Sequence, residues 1–140
     1  MEFDITINSK TKMPEYALDS AGYDIFTPET IDLYPDECVT IDTGIAIHIN
    51  KKDVGLLILP KSGLGSRGLC ITNTVGLIDY GYTGNIIIKL KNNGRRPINI
   101  LAGKAFVQGV FVPIYHPVLK QVDSHKETDR GSGGFGHTNA

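Results

Sequence analysis

The residues able to do chemistry in this chain gather in a few glycine-rich stretches. In Asn73-Thr74-Val75-Gly76-Leu77-Ile78-Asp79, followed by Tyr82 and Gly84, an acidic and an aromatic side chain surround a tight backbone. Asp79 and Gly81 suit an ordinary turn, and Tyr82 suits a core, so this segment alone decides nothing. Pro60-Lys61-Ser62-Gly63-Leu64-Gly65 offers a hydroxyl and backbone N–H groups beside a glycine that permits close approach, the donor set that phosphate oxygens need. A plain Pro-Gly turn reads the same way. Gln108 contributes an amide that hydrogen-bonds a ligand or caps a loop. Arg130 and Phe135 set a cation and a π face among glycines, on a backbone free to close over something; the bland alternative is a frayed terminus. Cys38 and Cys70 have no C-x-x-C spacing, which indicates neither zinc nor a disulfide framework and fits a reducing cytosol. His48, His116 and His125 are scattered and show no triad or metal spacing.

The elements that must position these groups read as strands. Apolar residues alternate at Phe3, Ile5, Ile7, at Ile45, Ile47, Ile49, and at Ile86, Ile88, Leu90, the period of half-buried strands. The runs Gly55 to Leu59 and Phe106 to Val112, rich in β-branched and aromatic residues, read as more deeply buried ones. Asn93-Gly94 lies between two strand-like segments and predicts a hairpin. No helical period is sustained, so any helix is brief, near Ser62 to Arg67. With 16 Gly and no Trp among 140 residues, the fold class is all-β, a distorted jelly-roll β-barrel with at most one short helix. The length predicts one domain, residues 1–124, with a flexible, glycine-rich C-terminal arm over 125–140. A net charge of −1 gives no basic stripe for polynucleotide phosphates, whereas a single nucleotide needs only a few donors, so no nucleic-acid partner is expected. No long apolar run or signal-like start is present, and no membrane association is expected.

In order along the chain, Ala21-Gly22-Tyr23-Asp24-Ile25, the Pro60 to Gly65 stretch, Asn73 to Asp79 with Tyr82 and Gly84, Gly103-Lys104-Ala105-Phe106-Val107-Gln108, and Arg130-Gly131-Ser132-Gly133-Gly134-Phe135-Gly136 resemble the five motifs of the trimeric dUTPase family. The resemblance runs from about Ala21 to Thr138. It implies hydrolysis of dUTP to dUMP and pyrophosphate by water attack on the α-phosphate, keeping uracil out of DNA and supplying dUMP for thymidylate synthesis. Asp79 is then the catalytic residue, orienting and activating the water. Uracil meets the main chain of Gly76, Leu77 and Ile78 on a hairpin, with the Asn73 amide and Ile87 beside it, and Tyr82 lies under the sugar, excluding a 2′-hydroxyl. A fixed backbone donor facing uracil's carbonyl would face cytosine's amino donor, leaving two donors opposed. Lys61, Ser62, Gly63 and Gln108 serve the phosphates; Phe135 stacks on the base, Arg130 pairs with the terminal phosphate, and Gly136 and Thr138 add donors. The implied cofactor is Mg²⁺ bound through the substrate triphosphate, with no direct protein ligand and Asp24 as a structural or outer-shell carboxylate. The resemblance further implies a homotrimer with shared active sites and a cytoplasmic location, or a host-cell cytoplasm for a viral or phage protein.

The chain departs from the family at Lys61, where arginine is commoner, at His137, where serine is usual, and at Asn139, where glycine is usual. Lysine keeps the charge and loses the bidentate fork. A dCTP deaminase-like enzyme shares the fold and a similar third motif but needs a glutamate five residues beyond the motif glycine, where this chain has Lys89. A nucleotide-gated binding protein with a regulatory partner stays open as an additional role.

Overall fold

In a computed structural model that describes residues 1–138, twelve short strands and one turn of helix form a barrel of antiparallel sheets. The largest sheet has the order β2 (Glu15–Tyr16), β3 (Tyr23–Phe26), β12 (Ala105–Pro113), β7 (Val54–Pro60), β9 (Gly76–Ile78). Three smaller sheets close the barrel: β5 (Cys38–Asp42), β10 (Ile87–Asn92) and β8 (Leu69–Ile71); β1 (Asp4–Ile7) with β6 (Ile45–His48); and β4 (Ile31–Leu33) with β11 (Ile98–Ile100). The helix α1 is Ser62–Gly65, where the brief one was expected.

Alternation explains most of this. On β10, Ile88, Leu90 and Asn92 point inward while Ile87 and Lys89 face out, and on β4 and β11 the isoleucine and leucine positions are buried around Asp32 and Asn99. These side chains join Ile25, Leu56, Ile58 and Phe106 in one core. Each is worth about 1.5–3 kcal/mol when fully removed from water, so the core outweighs the turn chemistry that the glycines supply. Strand β1 departs from its pattern at the end: Phe3 and Ile5 pack on the core, but Ile7 is 44% exposed, because β1 has only β6 as a partner and runs past the edge of the core there.

The Asn93-Gly94 hairpin is not formed. Strand β10 pairs with β5 and β8, and β11 pairs with β4, so the segment joins different sheets. The buried Asn92 amide takes the chain out of its sheet by donating to the Leu33 and Arg96 carbonyls, while its oxygen accepts from the Gly94 N–H. Glycine is needed at 94 for close approach, since a Cβ there would lie 2.2 Å from the Arg67 carbonyl oxygen.

From Ile114 to Thr138 the chain forms neither helix nor strand, and nearly every residue is exposed. Asn139 lies outside the described residues.

Candidate active site

Strand β12 runs between β3 and β7 and sets the first half of the site. A bulge between Ala105 and Val107 buries Phe106 and brings Gln108 opposite Asp24 on one side and Leu59 on the other. The Gln108 amide donates to the Pro60 carbonyl at 3.3 Å, and Lys61, the next residue, forms an ion pair with Asp24. Asp24, Gln108 and Lys61 therefore brace one another at the C-terminal end of β7. The helical turn α1 follows at once, and no hydrogen bond within the described residues uses the Ser62, Gly63 or Leu64 N–H groups. Nothing lies within 4 Å of a Cβ built on Gly63, so the glycine leaves open space beside the turn. Such a turn, with a hydroxyl and a lysine beside it, accepts phosphate oxygens.

The second half lies at the other end of β7. Strand β9 runs antiparallel to β7, with Gly76 opposite Ile58 and Ile78 opposite Leu56, so Asp79 leaves the sheet near the start of β7. The five steps from Leu56 to Lys61 span about 17 Å of strand, too far for Asp79 and the α1 turn of one chain to touch one phosphate together. The expected hairpin around Asp79 takes a different form. Strands β8 and β10 pair with each other, and the long excursion between them docks β9 onto β7, because its half-buried Ile78 packs against the core from that side. The outer edge of β9 is unpaired, and the main-chain groups of Gly76, Leu77 and Ile78 make no hydrogen bond outside that pairing among the described residues. Leu77 is exposed.

The excursion is pinned at both ends. The Gly81 N–H donates to the Ile49 carbonyl, Ile86 N–H to Ile45, and the buried Thr43 hydroxyl to the Ile86 carbonyl. The Tyr82 hydroxyl donates to the Asn85 carbonyl at 2.8 Å, and the Asn85 amide donates to Asp42. The tyrosine ring rests on Gly84, where a Cβ would stand 2.7 Å from its hydroxyl oxygen, so the glycine makes room for it. The Asp79 carboxylate makes no ion pair or hydrogen bond within the described residues. Ile87 lies on the exposed face of β10, opposite Asp42, and Lys89 follows on the same face. Asn73 is exposed beside Thr74, whose φ of 72° is uncommon for a β-branched residue and turns the chain into β9.

Among the described residues, the C-terminal segment makes no hydrogen bond to either half within one chain: every hydrogen bond of residues 125–138 stays inside that segment, including Arg130 Nε to the Gly133 carbonyl. Phe135 is fully exposed, Gly136 and Thr138 are exposed, and the His137 ring packs over Gly133. Of two well-formed cavities, neither is lined by a residue expected in the site; one, of 380 Å³, is an apolar space among Phe3, Ile5, Tyr23 and Phe111. Sequence reasoning missed the Lys61–Asp24 pair and the Thr74 turn. Asp24 could have been matched to Lys61 only by knowing the β3–β12–β7 order, and nothing in the residue type Thr announces a positive φ.

No three His, Cys, Asp or Glu side chains cluster as metal ligands among the described residues. Near the phosphate turn the nearby carboxylate, Asp24, is engaged by Lys61, and the remaining groups are hydrogen-bond donors. This donor set suits a metal carried on a ligand's phosphates better than a protein cage.

Comparison with known proteins gives a single picture. A family model described as dUTPase matches residues 9–139. A protein of Shewanella piezotolerans named deoxyuridine 5'-triphosphate nucleotidohydrolase is 41% identical over 139 residues, covering 96% of this chain and 91% of that protein. A protein of the same name from Haemophilus influenzae is 37% identical, with 96% and 92% covered. The solved structure of the Staphylococcus bacteriophage 80alpha dUTPase with dUPNHPP superposes with a TM-score of 0.89 at 30% identity, over 99% of each chain. A dUTPase from phage phi11 of S. aureus, described with a structural Mg(II) ion, superposes at 0.79 with 31% identity, over 89% of this chain and 98% of that one.

Proposed function

This chain belongs to the dUTPase family, and we propose that it hydrolyses dUTP to dUMP and pyrophosphate in sites that combine the two ends of β7 from different copies of the chain. The observation that carries the reading is the free outer edge of β9 running directly into an unengaged Asp79. An unpaired strand edge offers alternating N–H and C=O groups, and uracil presents the complementary carbonyls and imide N–H along one side. Gly76, Leu77 and Ile78 supply those groups, the Asn73 amide adds a side-chain contact, and Ile87 flanks the base. Tyr82, held by its bond to Asn85, lies under the deoxyribose and leaves no room for a 2′-hydroxyl.

Lys61, Ser62, Gly63 and Gln108 bind the triphosphate through one cation, one hydroxyl, one amide and the open N–H groups of the α1 turn. Asp79 accepts a hydrogen bond from a water and orients it on the α-phosphorus, taking its proton as the new P–O bond forms. The bond from the α-phosphorus to its bridging oxygen breaks, and pyrophosphate leaves with that oxygen. Orientation accounts for much of the effect, since a free aspartate is a weak base at neutral pH. Mg²⁺ on the phosphates would neutralise the charge gathering on the leaving group.

The arm, residues 125–140, completes the site from a third direction: Phe135 stacks on uracil, Arg130 binds the terminal phosphate, and Gly136 and Thr138 add donors. Because the bond that Arg130 makes among the described residues is to Gly133 of its own turn, a phosphate displaces a local, exposed bond. A homotrimer meets the requirement that about 17 Å of strand separate Asp79 from the phosphate turn within one chain.

The test is to incubate the protein with Mg²⁺ and each of dUTP, dCTP, dTTP and UTP and to identify the products. The expected outcome is dUMP and pyrophosphate from dUTP, with the other three spared. Deamination of dCTP, or equal cleavage of UTP, would overturn the reading.

A further inference from the structure

Three of the chain's four arginines, Arg67, Arg95 and Arg96, line one cavity of 390 Å³ together with Pro97 and Ile98. We propose that this cavity is a second anion site, separate from the catalytic one, that takes an oligophosphate of two or three phosphoryl groups.

The charge distribution comes first. The chain carries 14 Lys and Arg against 15 Asp and Glu, so a carboxylate partner is available on average for each cation. Yet the ion pairs among the described residues are Lys12–Glu15 and Lys61–Asp24, and neither involves these arginines. Among the described residues, no guanidinium of the three donates a hydrogen bond to the protein. Like charges around one concavity repel, and an anion relieves that repulsion.

The backbone beneath them is built to hold the concavity. Arg67 leaves α1 into a turn that meets the 93–96 segment face to face: Asn93 N–H donates to the Gly68 carbonyl at 2.8 Å, and Gly94 packs directly on the Arg67 carbonyl oxygen. Asn92, fully buried, holds the Arg96 carbonyl and the Gly94 N–H with one side chain at 2.8 Å each. Pro97 fixes its own φ, and the next residue, Ile98, is anchored in the core. The two arginine-bearing loops are thus joined by the Asn93–Gly68 bond and the Gly94 contact, with Asn92 holding the second loop in shape, while the three arginines stay exposed.

The ligand class follows from the donors. Each guanidinium is a planar fork matched to two oxygens of a phosphate, so three forks suit neighbouring phosphoryl groups better than one inorganic phosphate. The volume falls in the small-molecule range, and the absence of a basic stripe elsewhere does not extend the site along a polynucleotide. The cavity shares no lining residue with Lys61, Ser62, Gln108 or Asp79, and the inference does not depend on which nucleotide the catalytic site takes.

Calorimetric titration of the full chain with inorganic tripolyphosphate, with the catalytic site saturated by a non-cleavable dUTP analogue, tests this. One binding event per chain is expected, weakened roughly tenfold or more in R67Q and in the double variant R95Q/R96Q, with melting temperature and dUTP hydrolysis unchanged. Arg95→Lys/Arg96→Lys should fall between, since charge remains and the fork is lost. Parallel titrations with pyrophosphate and dTTP identify the source: tighter dTTP points to a nucleotide tail, equal affinity to free oligophosphate. Absence of any event, or affinities indifferent to the arginine changes, overturns the site, and much tighter binding of a single-stranded oligonucleotide at the same arginines overturns the ligand class. The analogue's own titration, run first, reports separately on the catalytic reading.

Discussion

At the C-terminal end of β7, side chains hold side chains: Lys61 is paired with Asp24, and Gln108 is bound to the carbonyl just before Lys61. At the N-terminal end, the Asp79 loop is held by its backbone and by Tyr82 and Asn85, and its carboxylate makes no hydrogen bond or ion pair among the described residues. The difference is physical. A cation left alone in a half-buried place costs free energy, so the Lys61 end carries its own counter-charge. An exposed carboxylate is satisfied by water and needs no partner. On the proposed function, the first end is prepared to bind and the second to react.

The largest effect that sharpens this contrast is expected from Asp79→Asn. The amide keeps shape and hydrogen-bonding capacity but loses the charge and basicity that fix the water, so kcat should fall by about 10²–10⁴-fold. KM should move little, and the melting temperature should hold, because the carboxylate makes no hydrogen bond or ion pair among the described residues. Steady-state kinetics on dUTP decide it. A near-normal kcat would remove Asp79 from the chemistry and make the two ends of β7 equivalent.

A smaller but more diagnostic effect comes from mixing. If each site draws Asp79 from one chain and the phosphate turn from another, co-assembly of an Asp79→Asn chain with a Lys61→Ala/Ser62→Ala chain restores sites in which both halves are intact. For random cyclic assembly of equal amounts, about a quarter of sites regain both, and activity should recover toward that fraction. No recovery above the separate variants would mean that one chain supplies both ends, against the roughly 17 Å of strand between them.

The sequence carried the fold well where a strand has one face in the core. The alternation at Ile86, Ile88 and Leu90 and the brief helix near Ser62 are both present, because burial and turn chemistry agree there. It failed at Asn93-Gly94, where the dipeptide signals a local turn but the pairing of β10 with β5 and β8 was decided by distant residues and by the buried Asn92. The excursion containing Asp79 was read as a simple hairpin for the same reason. Of the site, the residue types in the motifs were legible; the coupling of Lys61 to Asp24 was not, since 37 positions separate them and only the sheet order brings them together.

That coupling gives the smallest expected effect and the finest division between the two ends. Asp24 was expected as a structural or outer-shell carboxylate, and its carboxylate engages Lys61. The pair is partly exposed, at 35% and 29% for the two side chains, so its loss should cost about 1 kcal/mol or less and lower the melting temperature by a few degrees. In Asp24→Asn the lysine loses its guide while keeping its charge, and KM for dUTP should rise modestly, about threefold, with kcat nearly unchanged. The deciding measurement is KM against Mg²⁺ concentration. If Asp24 acts by positioning Lys61, the ratio of variant to wild-type KM stays constant as Mg²⁺ is varied; if it acts through the metal's waters, the ratio grows as Mg²⁺ falls. A constant ratio places Asp24 with the braces of the binding end, and a growing one moves it into the chemistry that Asp79 serves.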